Sequence, residues 1–168
     1  MSRLLLVRHG DTEWSSARRF LGYSDIELNP TGLRQAERLR DRLATERINF
    51  VYSSDLRRAS VTAEIIATRH QLEVITCTEL REIDYGKVEG LTFEEISRLY
   101  PEVAKLCISW SLELKFPDGE SVDELNARVS KFLGRVKKHA PEQTILIVGH
   151  SAPLRLLVCH LMDMELKH

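Results

Sequence analysis

Two hydrophobic periods alternate along this chain. Residues 3–8, 50–53, 72–77 and 144–148 are short, nearly continuous apolar runs, the pattern of strands buried on both faces of a parallel sheet. Between them apolar residues recur at helical spacing. Residues 31–46 place Leu33, Ala36, Leu39, Leu43 and Ala44 on one face, and residues 55–70 turn Ala59, Ala63, Ile66 and Ala67 inward behind Asp55 as the expected cap. Thr92 with Glu95 forms a capping-box pattern before a short helix that should stop near Pro101, and a second short helix follows that proline. Ser121 with Glu124 opens the strongest helix, striped by Val122, Leu125, Val129, Phe132, Leu133 and Val136. Pro153 suits the first turn of a last helix. Residues 10–30, 79–90 and 116–119 read as loops.

Strands alternating with helices predict an α/β fold, three layers (α/β/α) around a mainly parallel sheet. Residues 1–168 are expected to form a single domain. The stretch 85–120 holds helices but no strand, so we read it as an insertion folded over the active site. Its apolar residues Phe93, Leu99, Tyr100, Ile108, Trp110, Leu112, Leu114 and Phe116 fit either a lid over a bulky leaving group or packing onto the sheet.

Composition narrows the class. A hydrophobic fraction of 43% and a charged fraction of 29% are those of an ordinary globular protein. A formal net charge of −1 gives no basic field for nucleic acid or an anionic membrane, so phosphate binding must come from local arginines. No apolar run reaches the roughly 20 residues of a membrane span, and no signal peptide is evident. Cys77, Cys107 and Cys159 are odd in number and lack CxxC spacing, which points to reduced thiols and a cytoplasmic location.

The chemistry concentrates where strands end. Arg8-His9-Gly10 closes the first run and Gly149-His150-Ser151 the last; Ser53-Ser54 closes the second, and Arg57 and Arg58 follow in the first turns of a helix. In an open α/β sheet, ligands bind beyond the carboxyl ends of the strands. Arg8 and Arg58 can fork onto phosphate oxygens. His9 can attack phosphorus, His150 can donate to oxygens that gain charge, and Glu82 can protonate the departing alkoxide if burial raises its pKa. Two arginines beside two histidines repel a cation, and no histidine pair has i, i+4 spacing; the expectation is therefore no metal and no cofactor.

These residues lie in a series of motifs that resembles the histidine phosphatase superfamily, also called phosphoglycerate mutase-like. The series is Arg8-His9-Gly10-Asp11-Thr12 with Trp14; Arg19-Phe20-Leu21-Gly22; Leu28-Asn29-Pro30-Thr31-Gly32; Ser53-Ser54-Asp55-Leu56-Arg57-Arg58-Ala59 with Thr62-Ala63; Leu80-Arg81-Glu82-Ile83-Asp84-Tyr85-Gly86 with Glu89-Gly90; Pro117-Asp118-Gly119-Glu120-Ser121; and Val148-Gly149-His150. The resemblance implies His9 as phosphorylated nucleophile, Arg8, Arg58 and His150 as phosphate pocket, and Glu82 as proton donor. It adds Ser15 and Gly22 as phosphate-binding positions. Ser15 stands where the family usually has Asn, which shortens or removes a contact. Val88 replaces a bulky aromatic and is expected to widen the pocket. His168 follows soon after the last motif, which suggests a reduced edge or a truncated chain.

The expected activity is metal-independent phosphomonoester hydrolysis through a phosphohistidine, on a small phosphorylated metabolite. The spacing after Gly90 looks like that of the small bacterial phosphatases of the family, the branch that includes α-ribazole phosphatase, which makes α-ribazole 5′-phosphate a candidate substrate. A cofactor-dependent mutase needs extra cations in the insertion, and residues 100–120 offer only Lys105 and Lys115. An idle phospho-ligand scaffold is disfavoured because His9 and Glu82 are both present. Oligomeric state stays open, with a homodimer among the options. Plain structural readings hold for Arg57 (surface), Glu79 (structural or solvated), His70, His139 and His160 (surface or core), Glu120 and Ser121 (helix cap), Trp14 and Trp110 (packing), and Arg18 and Arg19 (solvated loop, with substrate within reach).

Overall fold

The computed structural model describes residues 2–109 and 114–164. Four strands form one wholly parallel sheet in the order β1-β4-β2-β3: β1 (Arg3–Arg8), β2 (Phe50–Ser53), β3 (Val74–Thr76) and β4 (Thr144–Gly149). β4 is central and buried along its whole length, as its unbroken apolar run requires. Its side chains alternate between two cores. Ile145 and Ile147 join Tyr52, Leu4 and Leu6 on one face; Leu146 and Val148 join Val51, Leu5 and Val7 on the other.

Among the described residues, seven α-helices accompany the sheet: α1 (Glu13–Ser16), α2 (Pro30–Leu43), α3 (Arg57–Ala67), α4 (Phe93–Leu99), α5 (Pro101–Ser109), α6 (Val122–Val136) and α7 (Ser151–Leu161). α2 and α3 cover the second face, where Ala59, Ala63, Ile66 and Ala67 are buried. α6 covers the first face with its predicted stripe, Val122 to Val136, fully excluded from water or nearly so. This is the expected α/β/α architecture.

Several local expectations change. Asp55 does not cap α3; its carboxylate takes two bonds from Arg81, at 2.8 and 2.5 Å, and Leu56 occupies the cap position without a side-chain bond. A bidentate guanidinium partner outcompetes two backbone N–H groups. Leu33 is 41% exposed, and Ala44 is exposed because α2 ends at Leu43. The predicted loop 10–30 contains α1, a single turn held by a reciprocal cap of Thr12 and Ser15. The predicted boxes at Thr92/Glu95 and Ser121/Glu124 both form.

In the insertion, Leu114 and Phe116 are buried in the core, so these two pack rather than line a lid; Leu99 and Ile108 face solvent. Trp110, Leu112 and His168 lie outside the described residues.

The loop after His9 docks on the start of α2 with backbone against backbone. A Cβ on Gly10 would lie 2.5 Å from the Gly32 carbonyl oxygen, and one on Gly32 would strike the Asp11 carbonyl. Asn29 N–H donates to Asp11 O at 2.9 Å, and Gln35 bonds both the backbone N–H and the carboxylate of Asp11. Neither backbone can yield without releasing these bonds. Gly32→Ala should therefore cost on the order of 3 kcal/mol, read as a fall in Tm of roughly 6–12 °C; an unchanged melt would show that the contact relaxes freely.

Candidate active site

Parallel pairing brings the predicted strand-end residues together. His9 N–H donates to Gly149 O at 3.0 Å and Ser54 N–H to Val148 O at 3.0 Å, so the ends of β1 and β2 meet the end of β4. The His9 and His150 rings lie against each other with centroids 5.0 Å apart and planes tilted by 58°. A cleft of about 280 Å³ opens at His9, lined also by Arg8, Ser15, Arg18, Arg19, Phe20, Leu21, Glu82, Tyr85 and Ser151, with His150 and Arg58 buried behind His9.

The partners of the two imidazoles fix their tautomers. His9 Nδ1 lies 2.7 Å from Gly10 O, which can only accept, so Nδ1 carries the proton and Nε2 keeps its lone pair. Burial drives the His9 pKa down to about 4, against the Gly10 carbonyl and with help from Arg58 and Arg8. The ring is neutral at neutral pH, the state a nucleophile needs. His150 shows the opposite arrangement. Arg58 Nε–H donates to its Nδ1 at 3.3 Å, so the proton sits on Nε2. That Nε2 is buried without a partner among the described residues. Burial first, then Arg58 and His9, hold the His150 pKa well below the usual range.

Arg58 is fully buried in the first turn of α3, where the helix dipole disfavours a cation. It has no carboxylate within ion-pair distance among the described residues. Its guanidinium donates instead to Gly22 O at 2.6 Å and Ser24 O at 2.8 Å. Burial lowers its pKa to about 10, so it remains charged at neutral pH. Arg8 is exposed at the cleft mouth and has no side-chain partner among the described residues.

Glu82 is 5% exposed. Oε1 accepts from Ile83 N and Ala152 N, both at 3.1 Å, and Oε2 accepts from Ser151 N at 3.0 Å, at the start of α7. Burial raises its pKa, outweighing those N–H groups and the attraction of Arg58 and Arg8. Both lone pairs of Oε1 are occupied, so the proton belongs on Oε2.

Ser15 lines the cleft, but its hydroxyl is engaged in the α1 cap, accepting from Thr12 N at 2.8 Å. Gly22 turns its carbonyl to Arg58 and its N–H to Glu89, 3.0 Å away. Val88 is buried in the core and lines no part of the cleft, because the 3₁₀ turn Gly86–Val88 directs it inward. Arg57 is exposed and paired with Glu27; Glu79 pairs with Arg135. Ser121 caps α6, but Glu120 does not: it pairs with Arg128 at 2.6 and 2.8 Å. Trp14 packs over Gly90, and His139 and His160 bond Tyr52 and Asn126.

Supporting residues were missed in the sequence. Glu89 accepts from the N–H groups of Gly22, Tyr23 and Ser24, and so fixes the loop whose carbonyls hold Arg58. Arg128 donates to the carbonyls of Glu79, Arg81 and Glu82, at 2.7–2.9 Å, and so fixes the backbone beneath the Glu82 carboxyl. Thr62 Oγ1 accepts from Gly10 N–H and donates to Arg58 O. The Glu89-Gly90 motif carried a signal for the first. Arg128 lies off the stripe of α6, and its partners are 8 to 49 positions away, beyond any local pattern.

Comparison with known proteins agrees with this geometry. The family described as histidine phosphatase superfamily (branch 1) matches residues 4–168. The chain is 36% identical to phosphoserine phosphatase 1 of Hydrogenobacter thermophilus over 166 residues, covering 99% of this chain and 79% of that one. Its structure resembles the α-ribazole phosphatase of Shigella flexneri, with a TM-score of 0.88 and 30% identity over 98% of this chain and 81% of that one. It also resembles a phosphoserine phosphatase of Entamoeba histolytica in complex with 3-phosphoglyceric acid, with a TM-score of 0.86 and 32% identity over 99% and 83% of the two chains.

Proposed function

The chain belongs to the histidine phosphatase superfamily and is a phosphoric monoester hydrolase; we propose that it acts through a phosphohistidine on His9. One observation carries this reading. His9, whose Nε2 is unprotonated, lies against a second imidazole whose Nε2–H is buried without a partner and whose Nδ1 accepts from a buried arginine that has no carboxylate among the described residues. Leaving such a donor unpaired costs about 1–3 kcal/mol. A phosphoryl group satisfies the donor and the cation together.

In this reading the His9 Nε2 lone pair forms the N–P bond as the P–O bond to the leaving group breaks. Glu82 Oε2 gives its proton to the departing oxygen. The Nδ1–H bond to Gly10 O stabilises the positive charge that develops on the ring. Arg8, Arg58 and His150 donate to the phosphoryl oxygens as charge spreads over them. Glu82 then takes a proton from water, whose oxygen attacks phosphorus; the N–P bond breaks, and inorganic phosphate and neutral His9 are regenerated. Ser15 and Gly22 serve the same pocket, Gly22 by way of its carbonyl on Arg58.

Hydrolysis is favoured over mutase transfer because Lys105 and Lys115, the only cations of residues 100–120, pair with Glu102 and Glu124 and line no part of the cleft. The substrate class is a small phosphorylated metabolite. The likeness to α-ribazole phosphatase keeps α-ribazole 5′-phosphate as one candidate, and the phosphoserine phosphatases point to a compact anionic ester. Residues 1–168 act as one catalytic domain, with 85–120 as its insertion. Among the described residues no helix is long and apolar enough to cross a membrane, and the three cysteines are free, which suits the cytoplasm.

The test is phosphate release from p-nitrophenyl phosphate in EDTA, with the enzyme quenched during turnover. We expect release without added metal and a phosphoenzyme that is acid-labile and base-stable. Activity that requires a metal ion, or a phosphoenzyme with ester stability, would overturn the reading.

A further inference from the structure

The short helix α1 ends in two nested bonds, Arg18 N–H to Ser15 O at 3.1 Å and Arg19 N–H to Trp14 O at 2.9 Å. That ending needs a left-handed residue just past the cap, the position glycine fills most readily. Here the residue is Arg18, with φ +55°. An arginine in that conformation is strained, and the two bonds that close the helix are what hold it there. Its side chain is exposed and has no hydrogen-bond or ion-pair partner among the described residues, yet it lines the cleft beside His9. The next residue differs. Arg19 donates to Gly90 O at 2.6 Å and pairs with Glu95 at 3.3 Å, so its charge is engaged.

The phosphoryl group already has Arg8, Arg58 and His150. Arg18 is a further cation beyond what one phosphate dianion occupies. Among the described residues Glu82 is the only carboxylate in the cleft lining, and its oxygens are turned onto three backbone N–H groups. We propose that Arg18 is the specificity residue of this cleft, selecting phosphomonoesters whose leaving group carries a second anion, a carboxylate or a second phosphate. The inference rests on the hydrolase reading above and names its substrate class.

Three esters differing at one end test it: glycerol 3-phosphate, 3-phosphoglycerate and glycerol 1,3-bisphosphate. The wild type should prefer at least one dianionic partner over glycerol 3-phosphate by ~10-fold or more in kcat/KM. Whichever ester is preferred identifies the anion. Arg18→Gly should collapse that ratio toward one while raising Tm, since glycine relieves the backbone. Arg18→Lys should retain part of the ratio. A wild type without preference, or a preference that survives Arg18→Gly, would overturn the proposal. Turnover of p-nitrophenyl phosphate separates the two readings: its presence with no ester preference removes only the role of Arg18. Its absence, with no ester hydrolysed, removes the hydrolase reading and this proposal with it.

Discussion

His9→Ala is expected to abolish turnover and the phosphoenzyme together, with kcat falling by roughly 10⁴-fold or more. The size follows from what else in the cleft could attack phosphorus. His150 is the second imidazole, but its Nδ1 lone pair is occupied by Arg58 Nε–H and its Nε2 carries the proton, so it cannot substitute. Ser15 is engaged in the α1 cap. Glu82 has both lone pairs of Oε1 filled by backbone N–H groups. Only direct attack by water remains, and Arg8, Arg58 and His150 would still stabilise its transition state, so the residual rate should exceed the uncatalysed one. The fold should survive, because His9 gives up only a bond to its own neighbour and a ring contact. Labelling with ³²P-phosphomonoester, beside a melting curve, reads both effects. A folded variant that still hydrolyses within tenfold of wild type would remove His9 as nucleophile.

The grouping of these residues at one edge of the sheet was legible in the sequence for a geometric reason. His9 and His150 each end an apolar run, and in a parallel sheet all strand ends that point the same way share one edge. Sequence position therefore predicts spatial grouping. Arg58 was legible for the same reason, since a helix that follows a strand starts at that edge. Legibility stopped where an interaction depends on a partner chosen in three dimensions. Asp55 reads as a cap because the backbone N–H groups beside it are visible in the sequence; Arg81, 26 positions away, is not. Glu120 reads as a cap neighbour, yet its partner Arg128 is half-buried and also spans the carbonyls of the Glu82 loop. Burial of an ion pair is rewarded only when its remaining donors are filled, and here three carbonyls fill them. Arg18 and Arg19 look alike as loop arginines. Only the bonds that close α1 assign the left-handed position to one and the Glu95 pair to the other.

Glu82→Gln separates protonation from binding through the leaving group. An alkoxide needs a proton as it departs, whereas p-nitrophenolate leaves readily without one. The variant should lose roughly 10²–10⁴-fold in kcat/KM on an alkyl ester such as glycerol 3-phosphate, and no more than about tenfold on p-nitrophenyl phosphate. The substitution is not structurally silent. A Gln amide that keeps its oxygen on Ile83 N–H and Ala152 N–H must place its NH₂ against Ser151 N–H, so some stability is lost. The alkyl-to-aryl ratio is independent of the fraction folded, which makes it the quantity to measure. The pH profile supplies a second sign. His9 must be unprotonated, and with its pKa lowered to about 4 the acid limb from this group should lie near pH 4 rather than 6.5. Glu82 must be protonated, and with its pKa raised the acid form persists above the usual carboxylate range, so alkyl turnover should fall as pH rises through that raised value. Glu82→Gln should remove this basic limb and leave the acid limb in place. Equal losses on alkyl and aryl esters, with both limbs unchanged, would remove Glu82 as the acid and make its three backbone bonds its whole role, a brace between residue 83 and the start of α7.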